Sequence, residues 1–152
     1  MGPTLYDYYK FYDDCFDRKT ILNIFDNLIN KIRYLSKNKI IHHDIMPDNI
    51  VLGIFENNQF KDSKELYFID YGCSYFIGEE FNIREDIDRF WNCGMPNYMS
   101  INAHLNKKPG TIDDIESLIY TLFKLSKISL PWENIEIFNL YRNKAILEMK
   151  QH

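Results

Sequence analysis

Ile40-Ile41-His42-His43-Asp44-Ile45-Met46-Pro47-Asp48-Asn49-Ile50-Val51-Leu52, followed after a polar interval by Leu66-Tyr67-Phe68-Ile69-Asp70-Tyr71-Gly72, decides how this chain is read. The β-type runs Ile50-Val51-Leu52 and Leu66-Tyr67-Phe68-Ile69 flank a loop that contains Asn57-Asn58, a pattern that predicts a small hairpin. Asp44, Asn49 and Asp70 stand at the edges of these short apolar runs.

Helical patterns surround the hairpin. Thr4-Leu5-Tyr6-Asp7 matches a capping box and predicts a short helix from Leu5 that buries Leu5, Tyr8, Tyr9 and Tyr12. Between Thr20 and Asn38 the residues Ile21, Ile24, Phe25, Leu28, Ile29, Ile32 and Leu35 keep helical spacing, with polar residues between them. Residues 73–110 show no sustained period, although Glu85 to Trp91 has room for one or two turns. Thr111-Ile112-Asp113-Asp114 is a second capping box, and Ile115, Leu118, Ile119, Leu122, Phe123 and Leu125 then cover most of a helix circumference, which predicts a buried central helix. Beyond Ser129-Leu130-Pro131-Trp132, a last helix is expected over about 133–150, with contacts from Ile135, Phe138, Tyr141, Ile146 and Met149. The expected class is mainly α with a small β-hairpin.

The chain has 152 residues, of which 45% are apolar and 16% aromatic, enough for one core and one domain. Its 18 basic and 22 acidic residues give a formal charge of −4 and are scattered, so no basic stripe marks a nucleic-acid partner. No run of about 18 apolar residues marks a membrane span. Met1-Gly2-Pro3-Thr4 has neither a basic nor an apolar leader region, and Tyr6 fails the myristoylation pattern. Cys15, Cys73 and Cys93 form no C-x-x-C pair, which fits buried thiols in a reducing compartment. An intracellular, cytoplasmic location is expected, with the nucleus also open.

A phosphoryl acceptor needs a carboxylate to orient its hydroxyl, and the moving phosphate needs Mg²⁺ held by hard oxygen ligands. Asp44, Asn49 and Asp70 offer these groups in that order. Pro47 lies between the first two, and Gly72 follows the third with its freedom of backbone angle. Any one of them is also an ordinary turn or cap residue. The ordered set His42-x-Asp44-x-x-Pro47-x-Asn49, strand, loop, strand, Asp70-Tyr71-Gly72 is far more specific.

That set resembles the protein-kinase superfamily, with its H-R-D-x-x-x-x-N and D-F-G signatures. Gly94-Met95-Pro96-Asn97-Tyr98-Met99-Ser100-Ile101-Asn102-Ala103-His104 is similar to the G-T-x-x-Y-x-S-I-N-x-H segment of casein kinase I and the vaccinia-related kinases. Asp113-Asp114-Ile115-Glu116-Ser117-Leu118 looks like their D-D-L-E-S-L, and Leu130-Pro131-Trp132-Glu133 like their L-P-W-E/Q. Tyr71 leans toward the vaccinia-related branch, and Pro47-Asp48-Asn49 toward casein kinase I. The likeness runs from Met1 to about Glu133.

The resemblance implies one truncated protein-kinase-like C-lobe over 1–152, lacking the N-lobe and the last C-lobe helices. Its parts would be a catalytic loop at 42–49, a metal loop at 70–72, an activation and substrate loop at 73–104 and a central helix at 111–126. By the same resemblance Asp44 is the catalytic carboxylate, Asn49 and Asp70 are the metal ligands, Val51 is the floor beneath adenine and Asp7 the ribose contact. His42, Gly72 and Asp114 take scaffold roles, and Ser100 sits in the substrate-facing loop. Mg²⁺ and ATP are the implied cofactors, and a protein substrate or a partner kinase the implied partner.

Several positions depart from the pattern. Met46 replaces the catalytic-loop Lys that meets charge on the transferring phosphate, and His43 replaces the Arg before Asp44. No G-x-G-x-x-G and no V-A-I-K lysine occurs in the sequence, which argues against nucleotide binding by this chain alone. Thr111-Ile112 stands where casein kinase I has an Arg-Arg pair for acidic substrates. The expectation is a serine/threonine protein kinase-like chain, impaired in catalysis when isolated. The second reading is a pseudokinase or binding module that docks on a kinase or a kinase substrate.

Overall fold

The computed structural model describes residues 2–12, 16–53, 65–78, 93–133, 135 and 140–151. Helix α1, Leu5–Phe11, starts at a complete capping box: Thr4 Oγ1 accepts the Asp7 N–H at 3.0 Å, and the Asp7 carboxylate accepts the Thr4 N–H at 3.1 Å. Leu5 and Tyr9 are buried. Tyr12, expected beside them, is 49% exposed because the helix ends at Phe11 and Tyr12 is its C-cap.

Helix α2, Arg18–Lys37, begins two residues before the predicted start because Asp17 caps it through the Thr20 N–H at 2.7 Å. Ile24, Leu28, Ile32 and Leu35 are its buried stripe. That stripe meets Leu5 and Tyr9 of α1 in the main core.

Among the described residues four short strands follow the helix: β1 Ile40–Ile41, β2 Ile50–Leu52, β3 Leu66–Phe68 and β4 Tyr75–Phe76. The predicted hairpin is β2 with β3, antiparallel, in the register Ile50↔Phe68, Val51↔Tyr67, Leu52↔Leu66. Its far edge takes the N-terminal segment, where Thr4 bridges Val51 and the Leu52 N–H reaches the Pro3 carbonyl at 3.1 Å. A second pair, β1 with β4, was not predicted; Ile40 faces Phe76 and Ile41 faces Tyr75. Asn57-Asn58 and the turns expected at Glu85 to Trp91 lie outside the described residues.

Among the described residues three further helices are α3, Ile101–His104, α4, Thr111–Leu125, and α5, Leu140–Lys150. The N-cap of α4 falls one residue earlier than read: it is Gly110, which has no capping side chain, and its N–H donates to the Asp113 carboxylate at 2.7 Å. Asp114 is thereby released for another partner. Nor is α4 buried all round. Leu118 and Leu125 lie in the main core, whereas Ile112, Ile119 and Phe123 are 62%, 40% and 41% exposed.

A second cluster of Leu130, Trp132 and Ile146 packs with Tyr120 and Ile135 between α4 and α5. Helix α5 is described from Leu140, Glu133 lies in a turn, Met149 is 40% exposed, and residues 136–139, Phe138 among them, lie outside the described residues. Among the described residues the architecture is mainly helical with two small antiparallel sheets. Among the described residues no helix is long and apolar enough to cross a membrane.

Candidate functional site

The two sheets pin both loops that carry the polar residues. β1 leads into residues 42–49, where a 3-10 turn at Pro47–Asn49 delivers the chain into β2. β3 leads to Asp70, and a 3-10 turn at Tyr71–Cys73 delivers it into β4. The Ile69 N–H donates to the Asn49 carbonyl at 3.0 Å, so the second loop is hydrogen-bonded to the first.

Asn49 Nδ2 donates to the Asp44 carboxylate at 2.7 Å and to the Asp44 carbonyl at 3.0 Å. Two acceptors on one nitrogen fix the amide's orientation. Oδ1, a neutral hard oxygen, is left for another partner.

The Asp44 carboxylate also accepts the Met95 N–H, from a segment far away in sequence. Its pKa is raised, first by burial and further by the charges of Asp70 and Asp48, while the Asn49 and Met95 bonds pull it down. A carboxylate with raised proton affinity is a better acceptor for a hydroxyl proton.

Asp70 is exposed and adopts a left-handed conformation, φ 59° and ψ 76°, and its carboxylate accepts the Gly72 N–H at 3.2 Å. Here the structure corrects the reading of Gly72. The positive φ values fall on Asp70, on His43 at 66° and on Gly94 at 85°, and Gly72 has none of them. What Gly72 provides is space, since a Cβ there would sit 3.1 Å from Asp70 Oδ1. Gly94 does need its freedom, and its backbone packs against Asp44 and the His43 carbonyl.

Beneath the loop, Asp114 is 1% exposed and accepts the His42 and His43 N–H groups, each at 2.8 Å. Burial pushes its pKa up to about 7 against the pull of these two bonds. The His42 ring is fully buried against Phe68 and Tyr71. Its Nδ1 accepts the Asp44 N–H at 3.3 Å, so Nε2 carries the proton and donates to the Ile69 carbonyl at 3.1 Å. One neutral imidazole thus joins both loops, and burial lowers its pKa to about 4.

Ser100 is 1% exposed, with its hydroxyl donating to Asp113 at 2.7 Å and accepting the Ala103 N–H as N-cap of α3. Its hydroxyl faces the fold's interior, not a substrate surface. Asp7 serves the capping box of α1 and raises the pKa of Asp48 through its charge, while Val51 is 5% exposed between Thr4 and Tyr67. Met46 is 8% exposed and packs inward.

Some contacts left no trace in the residue pattern. Met95 acts through a backbone amide, which every residue except proline carries. Cys73 and Cys93, expected to be buried thiols, are both only half-buried, and burial, with the neighbouring Cys93 thiol adding to it, raises Cys73 to about 12. Cys15 lies outside the described residues. Lys150 donates to the Pro96 and Met99 carbonyls between the rings of Tyr120 at 4.5 Å and Trp132 at 5.0 Å.

Among the described residues no group of three His, Cys, Asp or Glu side chains could hold a metal. The donors present, an amide oxygen of Asn49 and an exposed carboxylate of Asp70, are hard oxygens of the kind Mg²⁺ takes when phosphate and water complete its shell. They fit that ion.

Loops so pinned, with a carboxylate, an amide and a second carboxylate in order, define a protein kinase-like chain. A family model described as fungal protein kinase matches residues 7–126, and the chain belongs to that family.

Proposed function

We propose that this chain is the C-terminal lobe of a serine/threonine protein kinase of the casein kinase I and vaccinia-related type, carrying the phosphoryl-transfer residues. The observation that carries the reading is the Asn49 amide, which holds Asp44 with its nitrogen, while the Asn49 backbone carbonyl accepts the N–H of Ile69, the residue before Asp70. In this reading Asp44 accepts the proton of a protein substrate's hydroxyl, and Asn49 Oδ1 and Asp70 ligate Mg²⁺. When bound, Mg²⁺ would neutralise charge on the phosphates of ATP. Val51 lies beneath adenine. Asp7 reaches the ribose only by sharing a carboxylate that already caps α1. The group assignment is supported by the segment Gly94 to His104, whose Ser100 and His104 make internal bonds to Asp113 and the Pro96 carbonyl.

Met46 brings neither charge nor donor to the phosphate, so transfer by this chain is expected to be slow even with nucleotide present. That same inward-packed residue favours the second reading, a pseudokinase lobe that docks on a kinase or a kinase substrate in the cytoplasm.

Thermal unfolding with ATP and Mg²⁺ separates the two, because a ligand that binds only the folded state raises its midpoint. The first reading expects a rise at millimolar nucleotide that disappears in Asp70→Asn, a variant that tolerates the left-handed backbone and removes only charge. No rise in the wild-type chain removes the phosphoryl-transfer reading and leaves the docking one.

A further inference from the structure

Lys150 is the last residue of α5, and its side-chain nitrogen sits between the rings of Tyr120 and Trp132, donating to the Pro96 carbonyl at 3.1 Å and to the Met99 carbonyl. His104, the last residue of α3, places Nε2 3.2 Å from the Pro96 carbonyl and also 3.2 Å from the Lys150 nitrogen. Two bases thus crowd around one carbonyl. With Nε2 donating to Pro96, the neutral ring leaves Nδ1 as a bare acceptor, and Nδ1 is buried without a hydrogen-bond partner among the described residues. The carboxylates of the neighbouring elements are engaged elsewhere. Glu116 on α4 accepts the Tyr120 hydroxyl at 2.6 Å and the Ile101 N–H at 2.9 Å, and Glu133 pairs with Lys124.

We propose that Lys150 and His104 form an acid-released latch, which fastens the end of α5 to residues 96–104 and opens when the His104 ring takes a second proton. That proton has to enter at Nδ1. It creates a buried N–H with no acceptor and a positive charge beside the Lys150 nitrogen 3.2 Å away. Release lets water satisfy the one and screen the other. The proton affinities run in the same direction as the geometry. Burial first, and the Lys150 charge after it, lower His104 from 6.5 to about 4. A latched ring therefore takes its proton only near 4 and a released ring near 6.5, so lowering the pH between these values favours release. Burial also lowers Lys150 from 10.5 to about 7, so acid weakens the latch from that side too. Neither residue belongs to the candidate site, and the latch is tested apart from phosphoryl transfer.

The test is amide hydrogen exchange of the wild-type chain at pH 7 and pH 5.5, each rate divided by the intrinsic rate at that pH. Protection at Met99 and His104 should fall about tenfold, the ratio that values of 6.5 and about 4 give at pH 5.5, while α2 keeps its protection. His104→Gln, whose amide can still donate to Pro96 but does not titrate, should show no such fall. Unchanged protection in the wild type overturns the proposal, as does a fall shared by α2 or an equal fall in His104→Gln. A second measurement leaves His104 in place. Its ring titration, followed by NMR, should move its midpoint up toward 6.5 in Lys150→Met, and an unmoved midpoint overturns the proposal as well.

Discussion

A carboxylate that is 1% exposed has to be satisfied from inside the fold, and Asp114 is satisfied by the two backbone N–H groups of His42 and His43. Asp114→Asn keeps the shape but turns an NH₂ toward one of them. One buried donor is then unpaired, and urea unfolding at pH 7 should show a loss of about 2 kcal/mol. The size of this loss depends on pH. Burial raises Asp114 from 3.8 to about 7 in the folded chain. Between these values the folded protein keeps a proton that the unfolded one has released, so the stability Asp114 contributes is full below about 4 and is lost as pH rises through about 7. His42 works in the opposite sense. Its folded value of about 4 lies below 6.5, so the folded state is penalised as pH falls from 6.5 toward 4, and His104, also lowered to about 4, adds to that penalty. The stability deficit of Asp114→Asn against wild type should therefore grow as pH is lowered from 7 to 4.5. A deficit that stays constant across this range would refute the linkage.

Among the elements, α4 separates apolar composition from burial. Leu118 has no exposed surface and Phe123 is 41% exposed, although the two differ by little more than one helical turn. Leu118→Ala should cost about 3 kcal/mol in urea unfolding, and Phe123→Ala less than about 1. Thr4→Ala, which breaks the capping box of α1, should cost about 1 kcal/mol. The stripe of α2 was legible in the sequence because Ile24, Leu28, Ile32 and Leu35 recur at helical spacing and one face takes them all. The exposed side of α4 was misread because periodicity cannot say whether an apolar face has a partner. β1 and β4 were missed because two residues are too few to show alternation. Within the site, Asp44, Asn49 and Asp70 could be picked out because their order and spacing are encoded in side chains. The Met95 amide could not, since a backbone N–H has no side-chain signature and its place beside Asp44 depends on how distant segments meet.

At the scale of the whole molecule, the main core joins α1, α2, the hairpin and α4, and the second cluster joins α4 to α5. Lys150 fastens α5 to the segment before α3 through the Pro96 and Met99 carbonyls, and burial lowers its pKa to about 7. Lys150→Met keeps the stem between the rings but removes every donor. Amide hydrogen exchange should then quicken at Met99 and His104 while the amides of α2 keep their protection. Equal changes in both regions would show that Lys150 supports the fold at large and not this segment.

The hairpin's open end has a practical consequence. The Gly53 N–H donates to the Glu65 carbonyl at 3.0 Å, so the chain leaves β2 and returns to β3 at nearly one point. Extra sequence spliced between these two residues would begin and end at that same point, on the side of the strands away from Asn49 and Asp70. Lengthening such a closed loop costs only about 0.6 kcal/mol per doubling. The junction of Gly53 and Glu65 is thus the place to graft a fluorescent reporter or an affinity handle while the spacing of the two carboxylates is left as it is.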